Sequence, residues 1–458
     1  MKPNGAGSRL KRQRGAATLV VVMVLFFIVS LVAAYTNRNL IFEQRTSANQ
    51  YRSTQALEAA EAGLEWAVTM LNFSRIDASC SKSSTLVHGS FRERYITTDP
   101  VTGKFTPVAI AAGRDFPTCV WNGVGGWDCA CPDAGLAALT PPTGAAVAPA
   151  FRVRLRAVVG DPATPTVPKQ PGLIWVDVVG CTRLDEAGSA NPCLSFTGQG
   201  ALNEGRVVVS TMLALGGSAS GMPLAALTVR GSVDAAGGAL NVYNGGAGTS
   251  GLTVHASGAI NPAGLTTRGP PGTPWILTQA PGDLKLAPAS AGTTGAQPIG
   301  EFDRSFASIF NMRPEVFRDQ QAAVRLACGT TPGCSASTFH TMIERNPGRP
   351  LWLDGNLVVD SALQIGTPGQ PVLLTVNGTL TFTTPGSING LVYLRLPRPA
   401  VSTWATSGTG RINGALIVDG DVVGSGNTTV VYDSAILQQV RYGSGSFVRV
   451  PGSWRDFQ

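Results

Sequence analysis

Residues 12–72 constrain this chain more than any other part of it. A basic leader ending Arg-Gln-Arg-Gly is followed by about 20 apolar residues, 16–35, which run without a break into a polar amphipathic segment ending near Asn72. No Pro occurs from Ala16 to Asn72 and Gly63 is the only Gly, so nothing interrupts a helix that at 1.5 Å per residue would be ~85 Å long. The segment 16–35 carries no charge and is long enough for a hydrocarbon core of ~30 Å. Lys2, Arg9, Lys11, Arg12 and Arg14 precede it with no acid among them, so the positive-inside bias holds the amino terminus in the cytoplasm and sends everything after Asn37 outward. A secretory signal would have a shorter apolar run with a small-residue cleavage site behind it, whereas here the helical pattern continues.

On a helical wheel Ala56, Ala59, Ala60, Gly63, Ala67 and Met70 share one face, and Glu58, Glu61 and Glu65 lie opposite. A helix anchored in lipid thus offers small residues to a packed partner and acids to water. Its Ala- and Glu-rich composition also favours the helix intrinsically.

Gly15 followed by a long apolar run resembles the processing site of type IV prepilins. The leader, residues 16–35 and QALEAAEAGLEWA (55–67) together resemble the amino-terminal domain of PilX-type minor pilins. The resemblance implies that a prepilin peptidase cuts between Gly15 and Ala16 on the cytoplasmic side and that the new amino terminus is methylated. It also implies a single-pass inner-membrane protein that later enters a pilus outside the cell. The implied partners are other minor and major pilins, with a PilY-type tip adhesin as a further candidate. Most pilins carry Glu at the fifth mature position, where this chain has Val20. In the family that Glu is thought to pair with a neighbour's terminal amine, so Val20 argues against ordinary incorporation along a shaft. The tip pseudopilin of type II secretion systems characteristically lacks the Glu as well.

Charged residues make up only 14% of the chain while Gly (55) and Pro (31) are abundant, which suggests turn-dense β-structure beyond the helix. The formal charge of +7 falls to +2 once the five cations of residues 1–15 are removed, so no nucleic-acid partner is indicated. All eight cysteines lie on the outer side of the expected membrane, and an even count in an oxidising compartment favours disulfides. Cys181 with Cys193, and Cys328 with Cys334, enclose short polar loops and form natural local staples. Cys80, Cys119, Cys129 and Cys131 would then pair among themselves, Cys129 and Cys131 being too close to favour each other. A zinc site lacks the usual Cys couples and has only His88, His255 and His340 to draw on.

Residues 79–150 read as an irregular, disulfide-held connection. The runs 151–159, 173–179 and 206–213 read as strands, FRVRLRAVV alternating apolar and basic residues as a half-buried strand does. An antiparallel sheet of three or more strands over the small-residue stripe is the economical arrangement. After Gly216 short β-branched runs are cut by Gly, and Gly355, Gly378 and Gly420 recur near multiples of ~21 residues, the mark of stacked solenoid rungs, with a β-sandwich as the competing architecture. An insert at 301–345 carries helical spacing in Phe302, Phe306, Ile309 and Phe310, a second helix from Pro314 and a third at 337–344, placed to cover an end or edge of the rungs. The carboxy-terminal stretch, from this insert to VRVPGSWRDF, resembles that of longer PilX-like proteins.

The expected fold is therefore α+β. A leader (1–15) precedes a long helix (16–72) packed on a disulfide-containing β head (73–215), and a β-rich, solenoid-like domain (216–458) follows. No Walker loop, GxSxG elbow or HExxH occurs, and no cofactor or enzymatic activity is expected. Glu301 and Asp303 suit a helix start, His340 a helix surface, and Asp419 with Asp421 read as solvated turn acids more readily than as a calcium site. The function expected is that of a minor pilin in pilus initiation or at the tip. The alternatives are an adhesin-like or carbohydrate-binding module anchored by the helix, or a type II secretion pseudopilin.

Overall fold

The computed structural model describes residues 14–456 except 109–115, 134–138, 141–147, 159–170, 185–192, 194–195, 197–204, 217–218, 220, 247, 284–285, 287–298 and 397–402. Residues 1–13 of the expected leader lie outside the described residues. A single helix, Arg14–Leu71, runs for 58 residues. Among the described residues it is the one helix long and apolar enough to cross a membrane, and its side chains from Leu19 to Tyr51 face outward from the rest of the molecule.

The second half of the helix packs on a six-stranded antiparallel sheet ordered Ser446–Arg449, Arg206–Gly216, Leu173–Cys181, Ala150–Ala157, Thr118–Trp121, Trp127–Ala130. Alternation in Ala150–Ala157 places Phe151 and Val153 in the core, as the sequence pattern requires, and turns the intervening arginines to the opposite face. Two of the strands come from the Trp-bearing stretch expected to be irregular. There Cys119 faces Cys129 and Trp121 faces Trp127 across a hairpin, the two rings 5.5 Å apart. Cross-strand aromatic and disulfide pairs supply the cohesion that the stretch lacks in β-branched residues.

The outermost strand, Ser446–Arg449, belongs to this sheet although it follows the whole carboxy-terminal domain. Ser446 stands opposite Gly216 and Arg449 opposite Leu213. A division at residue 216 therefore leaves out a return crossing, and residues 219–444 form a long insertion between two neighbouring strands of the head.

Every strand pairing between Leu227 and Tyr432 among the described residues is parallel, so the sheets of the molecule are mixed overall. Within each of the two sequence groups, paired strands are offset along the chain by amounts from that of Val372 and Gly390 to that of Leu227 and Val254. A first face runs through Val324–Ala327, Leu351–Asp354, Val372–Asn377 and the second halves of Gly386–Leu394 and Thr409–Val418 to Leu227–Val229, Val254–Ala256 and Gln279–Ala280. Short strands such as Leu357–Val359, Leu380–Phe382 and Asp421–Gly424 make a second face. Gln364–Ile365, the first halves of Gly386–Leu394 and Thr409–Val418, then Asn427–Tyr432, Ala239–Tyr243 and Leu265–Arg268 make a third.

Stacking departs from chain order, because the group that comes first in sequence lies beyond the last strands of the second group, with Leu227 beside Leu416. Gly355, Gly378 and Gly420 all stand between a first-face and a second-face strand. Gly355 has φ +119°, and a Cβ on Gly378 would fall on the Gly355 carbonyl, so the corner admits only glycine in successive layers. Inward Leu, Val and Ile of all three faces form one core.

The insert contains its three expected helices, Ile299–Phe310, Pro314–Asp319 and Ala336–Arg345, and also two strands, Val324–Ala327 and Cys334–Ser335, that join the parallel faces. Only Ala336–Arg345 covers an end. The first two helices cover the outward side of the first face, where Phe306, Phe310 and Phe317 pack with Trp352, Leu373, Leu391 and Tyr393. That side needs a cover because its outward residues are themselves large and apolar.

Candidate functional site

The feature with functional geometry is the helix and the way the head seats it. Gly15 and Ala16 lie in the first turn of the helix, whose first residue is Arg14. Val20 lies on the apolar half and is 58% exposed. In the seat, Ala56, Ala59, Ala60, Gly63, Ala67 and Met70 are buried against the sheet and Glu58, Glu61 and Glu65 face solvent. A Cβ on Gly63 would come within 2.6 Å of Phe151 and 2.7 Å of Val178, and a Cβ on Gly180 would strike the backbone of Ala56 and Ala60. Helix and sheet therefore meet backbone to backbone, which only small residues on both partners allow.

The lower end of the helix is tied to the chain's last strand. Asn72 is buried, its Nδ2 donates to the Phe447 carbonyl (2.9 Å) and to Gln321 Oε1 (3.1 Å), and its Oδ1 accepts from the Phe447 N–H (2.7 Å). Arg92 donates to the carbonyls of Leu71 (3.2 Å), Gly443 (3.1 Å) and Gly445 (2.9 Å), with its guanidinium 4.7 Å from the centre of the Phe447 ring. Burial, with Arg349 nearby, brings the Arg92 pKa down to about 10, so it stays a cation at neutral pH. Arg75 adds a 2.6 Å bond from Nε to the Glu344 carbonyl. The head, the anchor helix and the parallel domain are thus pinned at one junction.

On the far side of the sheet Asp177 is buried between two arginines. Arg154 donates from Nε (3.1 Å) and Nη2 (2.8 Å), Arg156 donates from Nη2 (2.9 Å) and from Nε, and Ser210 Oγ donates at 2.8 Å. Burial alone would push this carboxyl up, but the bonds from Arg156, Ser210 and Arg154 together hold it below the ordinary carboxylate range. Because the folded pKa is depressed, the stabilisation is present above about pH 4 and lost as pH falls through the lowered value. Asp177→Asn is expected to cost about 2 kcal/mol at neutral pH. Urea midpoints of wild type and variant should converge on acidification, and a gap independent of pH would contradict this account.

The four staple cysteines are joined as Cys181–Cys193 and Cys328–Cys334, with Cα atoms 6.0 and 5.2 Å apart. The other four are joined as Cys80–Cys131 and Cys119–Cys129. Among the described residues no group of three or more His, Cys, Asp or Glu is placed to hold a metal ion. Asp419 is not the solvated turn acid expected: it is buried and pairs with Arg230. Asp421 accepts from the Ser232 N–H at 2.7 Å. His340 is half-buried, with Nε2 3.3 Å from Glu344.

Sequence reasoning did not find Asn72, Arg92 or Asp177. A signal for Asp177 existed, a lone acid in the apolar run LIWVDVVG across from the alternating arginines of FRVRLRA. Asn72 and Arg92 act on backbone groups more than 300 residues away, and nothing local marks them.

Residues 14–65 match the family described as PilX N-terminal. No curated protein matches the chain. The crystal structure of the competence-associated pilin ComZ from Thermus thermophilus is similar at 13% identity over 88% of this chain and 97% of that one, with a TM-score of 0.23, too slight a likeness to bear on the fold. With its small-residue seat and its apolar half free of the head, the amino-terminal helix of this chain is similar, over residues 14–65, to the amino-terminal domain of PilX-type pilins.

Proposed function

We propose that this protein acts in type IV pilus initiation or at the pilus tip, with its carboxy-terminal domain turned outward for contact. The observation that carries the reading is the helix: residues 14–65 match the PilX N-terminal family, yet the fifth position after Gly15 is Val20. In a shaft, a subunit's terminal amine buried in an apolar bundle needs an anionic partner, and leaving it unpaired costs several kcal/mol. Val20 offers none, whereas a subunit at the tip has nothing above it. The bulk of residues 219–444 supports the same placement, since one large head fits at an end where many would crowd a helical shaft.

The proposal includes cutting by prepilin peptidase between Gly15 and Ala16, methylation of Ala16, and a single inner-membrane pass with the amino terminus in the cytoplasm before assembly. Other pilins, and a PilY-type tip protein, are the proposed partners, and no enzymatic role is assigned. The parallel domain is read as a β-solenoid. The unbroken parallel pairing, the three faces and the stacked Gly355 and Gly378 corners support that reading.

Purified pili carrying an epitope-tagged chain provide the test. Immunogold is expected at filament ends in few copies, and mass spectrometry should find the chain beginning at Ala16. Gold spread evenly along the shaft would contradict the tip placement, and an intact leader would contradict the pilin reading. A clean deletion with normal pilus number would favour the anchored adhesin instead.

A further inference from the structure

The three faces of the parallel domain differ in what they turn outward. The first face turns out Trp352, Leu373, Leu391, Tyr393, Ala415 and Ile417, and helices cover it. The second carries acids, Asp234 and Asp421 among them. The third is polar. One register row across it reads Gln364, Ser387, Arg411, Thr429, Asn241 and Thr266, and none of the six is buried. At a strand spacing of ~4.8 Å the row is ~24 Å long.

The neighbouring row adds Asn413, Tyr243 and Arg268. Hydrogen bonds hold Arg411, Asn413 and Asn241 of these rows in place. Asn413 donates to Asn389 (2.9 Å), Arg411 donates to Asn413 (2.7 Å), and Asn241 donates to Asn427 (3.0 Å). The Arg268 guanidinium lies 5.8 Å from the centre of the Tyr243 ring. Arg411 and Arg268 are the only charged residues in the two rows, and both are exposed.

We propose that this third face binds an extended anionic polysaccharide of the polyuronate class. Short hydroxyl and amide side chains repeat at strand spacing, a distance comparable with one sugar residue, and the bonds of Arg411, Asn413 and Asn241 keep those three pre-ordered, which reduces the entropy that binding must overcome. The Tyr243 ring gives a stacking platform, and the two arginines, with no acid beside them in the rows, complement carboxylates by bidentate bonding. A protein partner would call for an apolar or aromatic centre, where these rows offer Val431 and Tyr243. Duplex DNA would call for many more cations than two. The inference deepens the contact role proposed above and rests on that reading only in placing this domain outside the cell.

The test uses the full chain in detergent micelles, with alginate as probe and dextran and duplex DNA as comparisons. Alginate is expected to bind at least ten-fold more tightly than either. The double variant R411Q/R268Q should weaken alginate binding at least ten-fold. T429E, a single change in mid-row, should do the same through charge repulsion, while K82Q, an exposed cation on the head, should leave it unchanged. Unaltered circular dichroism for each variant keeps loss of binding separate from loss of fold. No alginate binding, undiminished binding by R411Q/R268Q, or tighter binding of DNA would overturn the proposal. A chain that binds alginate but never enters pili would overturn the pilus role and leave this inference standing.

Discussion

Gly180→Val is expected to unseat the head from its helix and to lower stability by 3 kcal/mol or more, as about the upper end of over-packing costs. The position has no room to give. A Cβ there would strike the Ala56 carbonyl and the Ala60 amide and come within 2.8 Å of the Ala60 Cβ, and backbone on both sides cannot swing aside as a side chain can. Relief requires the whole strand Leu173–Cys181 to lift away, which breaks the packing of Val176 and Val178 on the helix. Thermal unfolding of a chain starting after the apolar span, followed by near-ultraviolet circular dichroism, would read the effect. Gly245→Ala is the matched control, since its Cβ would meet only the Gly269 carbonyl at 3.7 Å. Equal melting of the Gly180→Val variant and wild type would show that helix and sheet are not in the contact described.

Asn72→Leu is expected to cost about 3 kcal/mol, because it strands a buried N–H and a buried C=O of Phe447 at once. Leu is of similar size, so the loss would report the two hydrogen bonds rather than a cavity. Asn72→Asp gives a finer reading: it keeps the acceptor for the Phe447 N–H but sets a carboxylate oxygen against the Phe447 carbonyl and Gln321 Oε1, and should also fall below wild type. Hydrogen exchange of the Phe447 amide is the direct measurement, with protection expected to drop most in the Leu variant. Full protection in that variant would mean that the last strand holds to the sheet without the clamp.

The sequence made the helix and its seat legible because both obey short-range rules. Uninterrupted helical spacing, one small-residue face and one acidic face can be counted along the chain, and the buried and exposed sets agree residue by residue from Ala56 to Met70. Strand Ala150–Ala157 was legible for the same reason. The return of Ser446–Arg449 to the head was not, since four residues of modest apolar character show no partner until the fold supplies one. The hairpin through Trp121 and Trp127 was hidden by Gly and Asn in its turn, which resemble a disordered linker in composition and make a tight connection in space. Stacking out of chain order was hidden most deeply. Leu227 and Leu416 become neighbours across 189 positions, and no period along the chain encodes that meeting.

The position of the long insertion between two neighbouring strands determines how a pulling force would travel. Gly216 and Ser446, where the chain leaves and re-enters the head, are direct cross-strand partners, so both attachment points lie at the same end of one strand pair. Tension on the distal domain would by itself peel those strands apart one residue pair at a time, the weakest direction in which to load a sheet. Arg92 grips the carbonyls of Gly443 and Gly445 just before that seam and the Leu71 carbonyl at the base of the helix, and Asn72 holds Phe447 immediately after it. The pull is thereby diverted off the fragile strand pair and into the axis of the 58-residue helix, among the described residues the one element long enough to pass it toward whatever anchors the chain.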